Sequence, residues 1–172
     1  GLYYSASKYY SVIVRRGAKS SNPFFRKALE ELGKINSTIN LGQSHIIQLF
    51  KTKIPPAAIP GAARGFYFYY LGLEKYNDRK LDSARRNFQK VPSSSDYYYK
   101  ALFHLGVVAN IKGQHSKARR LFEKVASAAP QNRRGAWVRE QANLNIARIH
   151  YEKKNFRESL SYYTRVPRES DN

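Results

Sequence analysis

Lys100-Ala101-Leu102-Phe103-His104-Leu105-Gly106, with Ala118, Phe122 and Val125 behind it, is a pattern that returns along the chain. Leu71-Gly72, Ala84, Phe88 and Val91 stand at the same offsets 34 positions earlier. Ile146-Ala147, Ser159, Tyr163 and Val166 form a third copy, shifted 41 positions from the middle one. A period near 34 describes stacked supersecondary units that bury a shared strip between neighbours. Each residue type has a packing reason. Gly72, Gly106 and Ala147 let a second helix come close, and Ala84, Ala118 and Ser159 are its small residues. Phe88, Phe122 and Tyr163, four positions on, share that helical face and fill the space beside it. Gly113 marks the turn between the two helices, where a left-handed backbone suits Gly.

The segment before the first clear unit reads as a worn copy. Lys27-Ala28-Leu29-Glu30-Glu31-Leu32-Gly33 parallels the run at 100–106, and Ser20-Ser21-Asn22 before aromatics parallels Ser94-Ser95-Asp96. Asn22 and Asp96 suit N-caps, and Pro23 suits a first helical position. Ala6, Tyr10 and Ile13 copy the spacing of a second helix. The spacing predicts nine helices, at about 2–16, 23–39, 42–52, 62–77, 80–91, 97–112, 115–128, 134–153 and 155–165. The seven extra residues before the last unit lengthen its first helix by about two turns, and Trp137 falls on that extension. Three prolines within 55–60 interrupt the helical pattern.

The phrase LG…(G)…A…F…V across 65–167 resembles the tetratricopeptide repeat (TPR). The resemblance implies an all-α, right-handed superhelical solenoid of helical hairpins. The expected organisation is degenerate TPR-like helices over 1–53, a Pro-rich linker over 54–64, repeats at 65–98, 99–132 and 133–167, and the start of a further unit at 168–172. Both termini then fall inside a repeat, so a piece of a longer array is expected, with apolar end faces that self-associate end to end.

In TPR proteins the first helix of each unit lines a concave groove that takes a peptide or protein segment. Carried over, the groove positions are Phe66, Tyr69, Leu73 and Tyr76, then Lys100, Phe103, Val107 and Asn110, then Gln141, Leu144, Arg148 and Tyr151. The bland alternative is that these aromatics pack on one another or on the N-terminal third. Leu73, Val107 and Arg148 stand where one TPR subclass carries Asn for clamping a C-terminal carboxylate, so that clamp is not expected. The resemblance implies a non-catalytic, protein-binding scaffold without a cofactor. A weaker similarity, in the phrases YYYKALFHLGV and RVPRESD, is to TPR proteins of bacterial cell envelopes and implies periplasm or envelope over cytoplasm.

Charge offers a second candidate surface. The chain carries 31 Lys plus Arg against 12 Asp plus Glu, a net charge of +19. Such a field draws anionic partners within a Debye length of about 8 Å. Arg85, Arg86 and Lys90 recur as Arg119, Arg120 and Lys124 at matched offsets, a basic outer ridge able to grip phosphates or carboxylates. A protein partner, acidic by charge complementarity, is favoured over nucleic acid. The clusters Tyr3-Tyr4, Tyr9-Tyr10, Tyr69-Tyr70, Tyr97-Tyr98-Tyr99 and Tyr162-Tyr163 read as interlocking core. His45, His104, His115 and His150 lack metal-ligand spacing, and there is no cysteine. No Walker, GxGxxG, GxSxG or HExxH motif occurs. Asn36-Ser37-Thr38 matches a glycosylation sequon.

Overall fold

The computed structural model describes residues 2–17, 23–39, 41–50, 54–55 and 58–167. Among these residues every regular element is helical: α1 (Leu2–Gly17), α2 (Phe25–Ile39), α3 (Gln43–Phe50), a 3-10 turn at Gly61–Ala63, α4 (Arg64–Asn77), α5 (Leu81–Phe88), α6 (Tyr98–Ile111), α7 (His115–Ala128), α8 (Arg133–Glu152) and α9 (Phe156–Tyr163). The expected cap Asn22, the last residues of the 42–52 helix and the 168–172 segment lie outside the described residues. The chain divides into two compact units, 1–98 and 99–172.

In the first unit, α1 packs on α2, α3 packs on α4, and α4 packs on α5. The core is aromatic. Phe66 of α4 meets Phe50 of α3 at 5.2 Å between ring centroids, Tyr70 at 5.4 Å and Tyr97 at 5.7 Å. The first two pairs are edge-on, an arrangement that adds about 0.5–1.5 kcal/mol each beyond burial. Ile54, before Pro55, and Ile59, between Pro56 and Pro60, are buried too. Asn36 lies inside it as well. Its Nδ2 donates to the Tyr70 hydroxyl at 2.9 Å and the Tyr97 hydroxyl at 2.8 Å, and its Oδ1 accepts the Leu41 N–H at 3.0 Å. A buried amide is tolerable only when satisfied in this way. The same burial withdraws the sequon: Asn36 offers no acceptor for a glycan in the folded chain.

In the second unit, α7 packs on α8 and α8 on α9. The first helix of the last repeat is lengthened as the spacing predicts: α8 has 20 residues against 14 in α6. Asn132 starts it, its Oδ1 accepting the Gly135 N–H at 3.1 Å.

Glycine and phenylalanine meet inside each of the first two regular hairpins. A Cβ at Gly72 would lie 2.5 Å from the Phe88 ring, and one at Gly106 would lie 2.6 Å from the Phe122 ring. The rings occupy the space the missing methyls leave, and both phenylalanines are buried. The third hairpin has Ala147 there. Its close contact is a hydrogen bond from Ser159 Oγ to the Ala147 carbonyl at 2.9 Å, and Tyr163 stays 40% exposed.

The turns repeat one geometry. Lys80, Gln114 and Asn155 each donate their backbone N–H to the carbonyl five residues back, on Lys75, Ala109 and His150. Arg79, Gly113 and Lys154 donate to Tyr76, Asn110 and Tyr151. This pairing of bonds is the Schellman motif, which needs a left-handed residue. Gly113 supplies it at φ 73°, as the sequence predicts, whereas Arg79 and Lys154 adopt φ 61° without a glycine.

Candidate functional site

The twelve groove positions divide by burial. Phe66, Tyr69, Leu73 and Phe103 lie in the packed interior and present no surface. For Phe66 the reason is coverage: α3 contributes Phe50, and a Cβ at Gly33 of α2 would stand 3.3 Å from the Phe66 side chain. Tyr69 is enclosed by Tyr70, Tyr97 and Phe88, at 5.2, 5.3 and 6.1 Å between ring centroids. Burial pushes the Tyr69 and Tyr97 hydroxyls well above the usual phenol range. Tyr76 is half-buried at the end of α4.

The second unit holds the other accessible positions. Lys100, Val107 and Asn110 of α6 are half-buried, as are Gln141 and Leu144 of α8, while Arg148 and Tyr151 are exposed. On α8 these residues recur at steps of three and four, which puts them on one stripe. The stripe continues N-terminally to Trp137, which is 47% exposed. Trp137 stands edge-on to Phe103, 5.8 Å between centroids, and Phe103 rests on Phe122 at 5.6 Å. Phe103 is thus the floor beneath the stripe. Trp137 is absent from the twelve because they follow repeat register, and it sits on the added turns. The signal available was its spacing, four residues before Gln141. At the other end, Tyr151 meets Phe156 at 5.5 Å. Asn110 is engaged locally, with His115 Nδ1 2.8 Å from its Oδ1.

The basic residues lie on α5, α7 and the turn after α5. Arg86, Lys90, Arg120 and Lys124 are exposed and Arg85 and Arg119 half-buried. Several have local partners. Arg85 Nε is 3.6 Å from Asp82 Oδ1, Arg86 donates to Ser83 Oγ at 3.0 Å, Arg119 is 3.4 Å from Glu123 Oε1, and the Lys90 ammonium lies over the Phe68 ring at 5.3 Å. Such pairs at exposed sites are worth under about 1 kcal/mol, so the arginines remain able to exchange them for another anion.

The tyrosine clusters split too. Tyr69, Tyr70 and Tyr97 interlock in the core as expected, whereas Tyr3, Tyr4, Tyr9 and Tyr163 are exposed. His104 is half-buried with Nδ1 2.8 Å from the Lys100 carbonyl, and desolvation holds it below the usual histidine range. No group of three or more His, Asp or Glu side chains able to hold a metal occurs among the described residues. No helix among them is long and apolar enough to cross a membrane.

Comparison with known proteins agrees with this architecture. The family model for the tetratricopeptide repeat matches residues 99–132, the segment of α6 and α7. No curated protein matches the chain. Two solved structures share its fold. One, described as the crystal structure of MamA, is 18% identical with a TM-score of 0.54, covering 94% of this chain and 85% of that one. The other, described as the crystal structure of MamA protein, is 19% identical with a TM-score of 0.51, covering 95% and 80%. A tetratricopeptide repeat is in general a protein-interaction scaffold. The chain is therefore an all-α array of TPR-type helical hairpins, with residues 99–132 forming a tetratricopeptide repeat.

Proposed function

We propose that this protein is a non-catalytic scaffold that docks a peptide or protein segment on the α6–α8 face of its second unit. The observation that carries the reading is the accessible stripe Gln141, Leu144, Arg148 and Tyr151 on α8, with Lys100, Val107 and Asn110 accessible on α6, which meets α8 through Phe103 and Trp137. It mixes apolar area with charge, the composition that suits capture of a segment in a groove. Tyr76 is the corresponding accessible position in the first unit, where Phe66, Tyr69 and Leu73 serve as core. The test is a photo-crosslinking side chain at position 141, with Leu144→Glu and Val107→Glu as variants that block docking. Crosslinks that vanish in the Glu variants are expected. A partner retained by both variants would remove this face from consideration.

A second reading follows from the net charge of +19 and the exposed Arg86 and Arg120. It is an adaptor for an anionic polymer, nucleic acid or membrane surface through Arg85, Arg86, Lys90, Arg119, Arg120 and Lys124. Counterion release would give it a steep salt dependence, which a mostly apolar groove lacks. Charge reversal at Arg86 and Arg120 separates the two readings.

A further inference from the structure

We propose that Trp137 is the anchor of the α6–α8 face, and that the segment docking there is acidic. It carries a large apolar residue over Trp137 and a carboxylate about five positions away for Arg148. This rests on the docking reading above.

Trp137 is the only tryptophan in the chain, and it lies on the turns of α8 that α6 lacks. The packing of the repeat therefore does not require it. It is nonetheless held in place. One edge of the pair is Phe103, which is 7% exposed and backed by Phe122, while 47% of Trp137 remains open to solvent. A large aromatic fixed from beneath and open above loses little freedom on binding, which is why Trp dominates binding hot spots.

Geometry sets the spacing. Trp137, Gln141, Leu144, Arg148 and Tyr151 follow one another at steps of four, three, four and three along α8. At 1.5 Å of rise per residue, the whole stripe is about 21 Å long, and Arg148 stands about 16 Å from Trp137 along the axis. An extended segment advances about 3.3 Å per residue, so five residues span that distance. Charge sets the sign. Arg148 is exposed and makes no ion pair among the described residues, and the stripe holds no carboxylate. Lys100 on α6 adds a second cation, and the chain's field of +19 favours an anionic visitor. An open arginine also forms bidentate pairs with carboxylates.

The experiment is selection of a random dodecapeptide display library on the intact 172-residue protein, with synthetic copies of the enriched peptides titrated against it. The single tryptophan makes its own fluorescence the readout. Enriched peptides should carry net negative charge and a bulky apolar residue about five positions from an Asp or Glu. They should shift Trp137 emission and bind Trp137→Ala and Arg148→Glu at least tenfold more weakly. Arg148→Glu changes an exposed residue, so the test survives if Trp137→Ala fails to fold. Peptides that crosslink to the face but are neutral or basic, or that leave the emission and both variants' affinities unchanged, would overturn this inference alone. Absence of any peptide on the face would overturn the docking reading with it.

Discussion

Replacing Gly106 by Ala should destabilise the protein, although the same change in an open helix stabilises it. In an unobstructed helix interior the methyl is worth about 0.5–1 kcal/mol in Ala's favour. At Gly106 the new Cβ would stand 2.6 Å from Phe122 Cε1, 2.9 Å from Cδ1 and 3.0 Å from Cζ. These are ring atoms, and the ring cannot swing clear. Phe122 is fully buried, with the Phe103 ring 5.6 Å away between centroids. Forcing a methyl into a filled core costs about 1–3 kcal/mol. The net expectation is a loss of about 1 kcal/mol, read by urea unfolding followed through far-UV circular dichroism with the slope held constant. Shortening the ring should relieve the clash. Gly106→Ala with Phe122→Leu should cost less than the sum of the two single changes by about 1 kcal/mol. A stability gain in Gly106→Ala, or strict additivity in the double variant, would refute the claim that the ring claims this space.

Other expectations concern the turns and the buried polar groups. Arg79→Gly and Lys154→Gly should each raise stability by about 0.5–1 kcal/mol, because both residues sit at φ 61° where L side chains are strained; thermal unfolding measures it. Asn36→Ala should cost about 2–4 kcal/mol by urea unfolding, since it strips partners from two buried hydroxyls and a backbone N–H at once. Burial lowers the His104 pKa, so the unfolded chain takes up its proton first and stability should fall as pH drops below about 6.5. His104→Gln should flatten that limb of the stability profile. Burial raises the Tyr69 and Tyr97 pKa values, so the folded chain keeps protons the unfolded chain releases, and stability should fall as pH climbs past about 10. Ultraviolet titration should show the Tyr69 and Tyr97 phenols resisting ionisation until the chain unfolds.

The parts of this structure legible from sequence are those decided within one hairpin. Gly72 with Phe88 and Gly106 with Phe122 state their contact by offset alone, and the long α8 follows from a count of residues. Coverage by a distant element is not written in a helix's own pattern. The stripe Phe66-Tyr69-Leu73 reads as an apolar face, yet α2 and α3 cover Phe66, and Tyr97 and Phe88 enclose Tyr69. Left-handed turns at Arg79 and Lys154 escape a search for glycine, because two Schellman hydrogen bonds hold the conformation against the residue's preference. The exposure of Tyr163 also goes with a change in the repeat. Ala147 stands where the earlier hairpins have a glycine against a ring, and Tyr163 is exposed.

The amide of Asn36 has a consequence for how the chain avoids assembling wrongly. Helices α2 and α6 carry nearly the same phrase, KALEELG and KALFHLG, so each is a plausible impostor for the other during folding. Among their differences, three positions past the glycine, are Asn36 in one and Ala109 in the other, both buried. In the place of α6, α2 would carry an amide into a site built around a methyl. In the place of α2, α6 would leave the Tyr70 and Tyr97 hydroxyls without the Asn36 donor. Either exchange strands polar groups away from water, at about 1–3 kcal/mol for each one left unpaired. Repetition makes an array easy to build and easy to confuse, and the side chain at position 36 helps tell two similar pieces apart.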